Sequence, residues 1–141
     1  MTGVIVFLTV LVAASTFGVW QRRRDGRVRP ATPSDHADAD TGERLSAAEI
    51  GAELGERATL VQFSSAFCQP CRAARATLAH VAADTEGVVH VEIDAEANLD
   101  LVRRLSVLRT PTTLVLDHTG RIVGRASGAP RLHDVRAALP A

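Results

Sequence analysis

The sequence predicts an α/β fold in which helices and strands alternate, preceded by an N-terminal transmembrane helix. Three observations predict it. Short apolar runs alternate with segments whose apolar residues recur every three or four positions. A Cys-x-x-Cys, Cys68-Gln69-Pro70-Cys71, stands where one such run meets one such segment. Residues 3–20 carry no charge at all. At 141 residues there is room for one compact domain plus accessories, since domains commonly span about 100–150 residues.

The charge-free run GVIVFLTVLVAASTFGVW comes first. As a helix rising about 1.5 Å per residue it spans roughly 27 Å, enough for a thin bilayer core. It is apolar on every face and abuts Arg22-Arg23-Arg24, unlike a core helix. Only Met1 and Thr2 precede it, so the basic n-region of a secretory signal is missing. We read residues 3–20 as a retained single-pass anchor in the cell membrane. Arg22, Arg23, Arg24, Arg27 and Arg29 crowd its C-terminal flank, and positive charge stays inside. The domain that follows is therefore expected on the cytoplasmic side, with an extracytoplasmic domain as the alternative.

Residues 21–43 read as a basic flank and a flexible linker. From 29 to 42 the sequence RPATPSDHADADTG has no large apolar residue, so the tether is expected to share no apolar surface with the domain. Asp35, His36, Asp38 and Asp40 are read as a solvated stretch, because no apolar shell fixes a ligand geometry. The folded domain is assigned to residues 44–141. Ser46 and Glu49 suit the two ends of a capping box on a short helix. Residues 59–64 (TLVQFS) read as a central strand. The next helix opens at the cysteines, with Cys71, Ala74, Leu78 and Val81 on one face, and Gly87 closes that region. Residues 88–93 (VVHVEI) are a second strand and 96–105 a helix. After Thr110-Pro111 come a strand over 112–116, a turn at 118–120 and a strand over 121–123. Pro130 opens a closing helix whose inner side carries Leu132, Val135, Ala138 and Leu139. The order is α-β-α-β-α-β-β-α.

Composition removes several function classes. All sixteen basic residues are arginine, which excludes lysine Schiff-base chemistry. Net charge is zero, tyrosine is absent, and four Phe and one Trp cannot build a stacking platform for nucleic acid. The two cysteines close almost no loop, so their disulfide adds little chain-entropy stabilisation. Zinc wants about four ligands; there is no second cysteine pair, and His80, His90, His118 and His133 are scattered, so no metal site is expected. Redox chemistry remains. A thiolate is the nucleophile, and the N–H groups and dipole of a helix N-terminus favour it. Cys68 at that terminus is the attacking thiol and Cys71, one turn in, the resolving one. Pro70 stiffens the turn between them.

The segment FSSAFCQPCRAAR at residues 63–75 resembles the active-site region of thioredoxins, with Cys-Gln-Pro-Cys in place of Cys-Gly-Pro-Cys. The resemblance extends over nearly all of residues 45–141, through Ile93-Asp94, Thr110-Pro111-Thr112, Gly120 and Gly128. It implies a thioredoxin-like fold, a central mixed β-sheet flanked by helices. It also implies a cis Pro111 lying against the cysteines, with substrate bound by Thr110, Pro111, Phe67, Gln69 and Pro70. No cofactor is implied beyond the redox-active Cys68–Cys71 disulfide. The partners implied are disulfide-containing proteins and a reductase or other electron donor. Arg72 and Arg109 are placed beside the active-site surface.

Four positions depart from the thioredoxin pattern. Gln62 stands for the buried aspartate that helps deprotonate the second cysteine, and His90 for its lysine partner. Phe67 and Ser64 stand for two tryptophans. Gln62 and His90 are the two positions read as bearing on proton transfer: Gln62 cannot accept the Cys71 proton, whereas His90 titrates near neutrality and can substitute as the base; the alternative is that they only hydrogen-bond each other. The function expected is reduction of protein disulfides. The alternatives are an extracytoplasmic anchored thioredoxin of cytochrome or envelope protein maturation, whose usual insertion before the cis-proline is missing here, and a non-catalytic binding module.

Overall fold

The computed structural model describes residues 2–24, 27–30 and 43–141. Helix α1, Thr2–Arg24, is long and apolar enough over Gly3–Gln21 to cross a membrane or to serve as a signal sequence, and none of that stretch is buried. Hydroxyls within it are satisfied by its own backbone: Thr9 donates to Ile5 O at 2.8 Å, Ser15 to Leu11 O at 2.8 Å and Thr16 to Val12 O at 3.0 Å. That leaves no side-chain donor of these residues seeking water.

The domain follows as α2 (Ala47–Ile50), β2 (Ala58–Ser64), α3 (Gln69–Asp84), β3 (Val88–Asp94), α4 (Leu99–Arg104), β4 (Thr112–Asp117), β5 (Ile122–Ser127) and α5 (Leu132–Ala137). This is the expected order, and the sheet is mixed: β2 and β3 are parallel, while β4 runs antiparallel to both β2 and β5. Alternation along the strands makes two cores. Val61, Phe63, Leu114 and Leu116 face one side with Leu45, Ile50 and Leu105. Leu60 and Val115 face the other, where Leu78 and Val81 of α3 and Val135 of α5 cover them. The Ser46–Glu49 capping box forms in full.

At four places the elements depart from the sequence expectation by more than one residue. Arg29–Pro30 is a strand, β1, at the edge of a five-stranded sheet ordered β1-β5-β4-β2-β3. Proline is tolerated there because an edge strand can spare an N–H. Val28 beside it packs against the α3-side core, so the segment that follows α1 does share apolar surface with the domain. Helix α4 starts at Leu99, since Asp94 holds the preceding turn through Glu96 N–H (2.9 Å) and Asn98 Nδ2 (2.9 Å). Strand β5 runs on to Ser127, paired with Thr112, and α5 opens at Leu132, after Pro130. Asp35, His36, Asp38 and Asp40 lie outside the described residues.

The β4–β5 turn hangs on Asp117, which accepts from Thr119 N–H (2.8 Å), Thr119 Oγ1 (2.6 Å), Arg121 N–H (3.1 Å) and Arg121 Nε (3.2 Å). Burial alone raises its pKa, but these hydrogen bonds outweigh burial and hold the carboxyl at about 2. The folded value lies below the unfolded one, so the stabilisation is present above pH ~4 and is lost as pH falls toward 2. Asp117→Ala is expected to cost about 2 kcal/mol near pH 7 in urea denaturation. The gap to the unmodified protein should shrink on acidification below pH ~4.

Candidate active site

Strand β2 delivers the chain to the surface at Ser64, and α3 begins at Gln69. Cys68 is the N-cap of α3, and its Sγ accepts the N–H of Cys71 at 3.2 Å. A proline within the first two helical positions leaves fewer competing N–H groups. Cys68 and Cys71 form a disulfide with Cα atoms 5.2 Å apart. Their environments are unequal. Cys68 is half-buried, while Cys71 is 2% exposed and belongs to the buried face of α3 with Ala74, Leu78 and Val81. Gln69, Pro70 and Arg72 are exposed around the pair.

Phe67 is 102% exposed and has φ 58°. A bulky residue in the left-handed region costs roughly 1 kcal/mol or more, and no side-chain burial offsets it here. The Thr110–Pro111 bond is cis and Pro111 is buried. Its loop reaches the cysteine loop through Ser65 and Thr110, whose hydroxyls lie 2.7 Å apart. Thr112 Oγ1 ties the same loop down by donating to Arg109 O at 2.7 Å. Arg109 is exposed beside Thr110.

Under the cysteines lies a continuous polar chain. His90 Nε2 lies 3.2 Å from Gln62 Oε1. Gln62 Nε2 donates to Cys71 O (3.0 Å) and Ser64 Oγ (2.8 Å), and Ser64 donates to Glu92 Oε1 (2.6 Å). Arg75 of α3 closes the chain on Glu92 at 2.7 Å. Gln62 is fully buried, and its amide oxygen needs a donor, which assigns the Nε2–H tautomer to His90. Burial pushes the His90 pKa down, against a smaller upward pull from Glu92, so the ring is neutral near pH 7. Arg75 holds the Glu92 carboxyl below its usual range, against burial, with Ser64 assisting. The structure thus joins Gln62 to His90 and to the Cys71 backbone.

Glu92 is the site residue that sequence reasoning missed. A signal was present: alternation along VVHVEID puts residues 90, 92 and 94 on one face. Parallel register then sets Glu92 directly beside Gln62. Beyond this chain, Thr113 on β4, opposite Gln62, keeps a buried hydroxyl with no partner.

A family model described as Thioredoxin matches residues 45–141. The chain is 37% identical over 60 residues to human Thioredoxin domain-containing protein 2, a span covering 43% of this chain and 11% of that protein. Among solved structures, thioredoxin h of Nicotiana alata is 26% identical with TM-score 0.51, covering 58% of this chain and 70% of that one. Fasciola hepatica thioredoxin is likewise 26% identical, TM-score 0.51, covering 59% and 78%.

Proposed function

The chain belongs to the thioredoxin family, and on that premise we propose that it is a membrane-anchored thiol–disulfide oxidoreductase that reduces protein disulfides. The observation that carries this reading is the placement of Cys68 at the N-cap of α3, its sulfur receiving the Cys71 N–H, with Cys71 buried behind it. In the reduced protein that N–H and the helix terminus favour the Cys68 thiolate. The thiolate attacks one sulfur of a substrate disulfide, forming a mixed disulfide and releasing the other sulfur as a thiolate that takes up a proton. Cys71 then loses its proton and attacks Cys68 Sγ. The Cys68–Cys71 disulfide forms, the second substrate sulfur leaves, and two electrons have passed to the substrate. A dithiol donor, a reductase or its equivalent, returns the pair to the reduced state.

Phe67, Gln69, Pro70, Thr110 and Pro111 form the surface against which we place the substrate. An aromatic held in a costly conformation with its whole ring in solvent serves a partner rather than the fold. Reduction of insulin disulfides with dithiothreitol as donor tests the activity; no acceleration over dithiothreitol alone would leave only a binding module. In that assay Phe67→Gly is expected to raise KM about fivefold, as for a lost contact of about 1 kcal/mol. Its stability should stay level or rise by up to about 1 kcal/mol, because glycine tolerates positive φ.

We place α1 in the membrane as a retained span with the domain on the cytoplasmic side, on the strength of its uncovered apolar surface and its arginine-rich C-terminal flank. Alkaline phosphatase fused after Ala141 is then expected to be inactive and a cytoplasm-active reporter to be active. Active phosphatase would put the domain outside.

A further inference from the structure

The anchor enters the domain at one particular end. Strand β1 is antiparallel to β5, with Arg29 opposite Arg125 and Pro30 opposite Gly124. Followed backward from Pro30 toward α1, the chain therefore runs along β5 from Gly124 toward Ser127. Ser127 pairs with Thr112, the residue after Pro111, and Gly128 donates its N–H to Pro111 O at 2.8 Å. Phe63, opposite Thr112, leads through Ser64 to Cys68. The end of the sheet that receives the anchor is the end that carries the cysteines.

Distances limit what this attachment allows. At about 3.3 Å per strand residue, two residues before Arg29 bring the chain level with Ser127. From there to the end of α1 at Arg24 are three residue steps, at most about 11 Å. Strand β2 lies three strand spacings from β1, about 14 Å across the sheet. The β4–β5 turn at residues 118–120 sits at the opposite end, roughly 20 Å further along β5. Val28 fixes the attachment by packing: its Cγ1 lies 3.3 Å from where a Cβ on Gly124 would be. The exposed apolar tips beside the cysteine and cis-proline loops, Phe67 and Leu108, are at the anchored end.

We infer, resting on the reading of α1 as a retained membrane span, that β1 holds the cysteine-bearing end of the domain against the bilayer surface. The partners this arrangement fits are membrane proteins whose disulfides lie close to the lipid headgroups. A soluble disulfide must enter between the domain and the membrane.

The test uses the full chain in phosphatidylcholine–phosphatidylglycerol vesicles containing lipids with a nitroxide on the headgroup. In a Trp20→Phe background, tryptophan is placed at one end by Phe67→Trp or at the other by His118→Trp. With ends roughly 20 Å apart, Phe67→Trp is expected to be quenched at least about twice as strongly as His118→Trp. Inserting twelve Gly/Ser residues after Arg24, which adds a flexible reach of about 20 Å, should bring the two values together. Equal quenching without the insertion, or stronger quenching at His118→Trp, in protein that floats with the vesicles, overturns this inference alone. Protein that fails to float with the vesicles overturns the membrane-span reading, and this inference falls with it.

Discussion

Cys71→Ser is expected to accumulate stable mixed disulfides with its partners, whereas Cys68→Ser captures few or none. Cys68 alone has the access and the helix-terminal N–H that make a nucleophile, since Cys71 is 2% exposed on the packed face of α3. With Cys71 removed, the first exchange proceeds and nothing attacks Cys68 Sγ to release the product. With Cys68 removed, the remaining thiol is buried away from any incoming disulfide. Non-reducing gels of the two variants, incubated with insulin and then alkylated, read the difference directly. In the reduced unmodified protein, iodoacetamide should label Cys68 first. Equal capture by both variants, or first labelling at Cys71, would reverse the assigned roles.

The parts of this arrangement that sequence made legible are those with a periodic physical signal. Leu60, Val61 and Phe63 of β2 and Leu114, Val115 and Leu116 of β4 form unbroken or nearly unbroken apolar runs because both sheet faces are covered, and the buried face of α3 is the one its three- and four-residue spacing announces. The cysteines, the cis bond at Pro111 and the Gln62–His90 contact were legible through the family pattern. The remainder depends on contacts between distant segments. Strand β1 has two residues, one of them proline, and carries no alternation; beside it a single valine, Val28, packs on the core. Phe67 has a left-handed backbone that nothing in its residue type announces. Glu92 was hidden because its importance lies in register, which sets it beside Gln62, and in Arg75 reaching it from α3. The arrival of the segment after α1 at the cysteine end needs the antiparallel β1–β5 pairing, which no local pattern encodes.

Replacing Gln62 by aspartate probes how the second thiol loses its proton. Gln62 is fully buried, and every polar atom of its amide is engaged: the oxygen by His90, the nitrogen by Cys71 O and Ser64. It steadies the backbone of Cys71 and offers the thiol no base, so resolution of the mixed disulfide is expected to be slow. A carboxylate at this position can take the Cys71 proton, and Gln62→Asp should reduce insulin about tenfold faster near neutral pH, the low end of what a positioned general base contributes. The same change removes the donor to Cys71 O and buries a charge. No ready cation compensates it, because burial holds His90 neutral and Arg75 is committed to Glu92. The expected cost is about 2–4 kcal/mol at pH 7. Burial and the neighbouring Glu92 charge both raise the pKa of the new carboxyl above its unfolded value of about 3.9. The charge-burial part of the cost is therefore absent below pH ~4 and grows as pH rises from there through the raised value, the opposite direction to Asp117. Stopped-flow reduction assays and urea denaturation across pH 4–8 measure both effects on one variant. A pH-independent stability loss would place the carboxyl in contact with water. No rate change in Gln62→Asp, together with a large loss in His90→Ala, would show that His90 already serves as the base. No rate change in either variant would remove both positions from control of the Cys71 proton and leave Glu92, reached from Gln62 through Ser64, as the ionisable group of the chain to replace next.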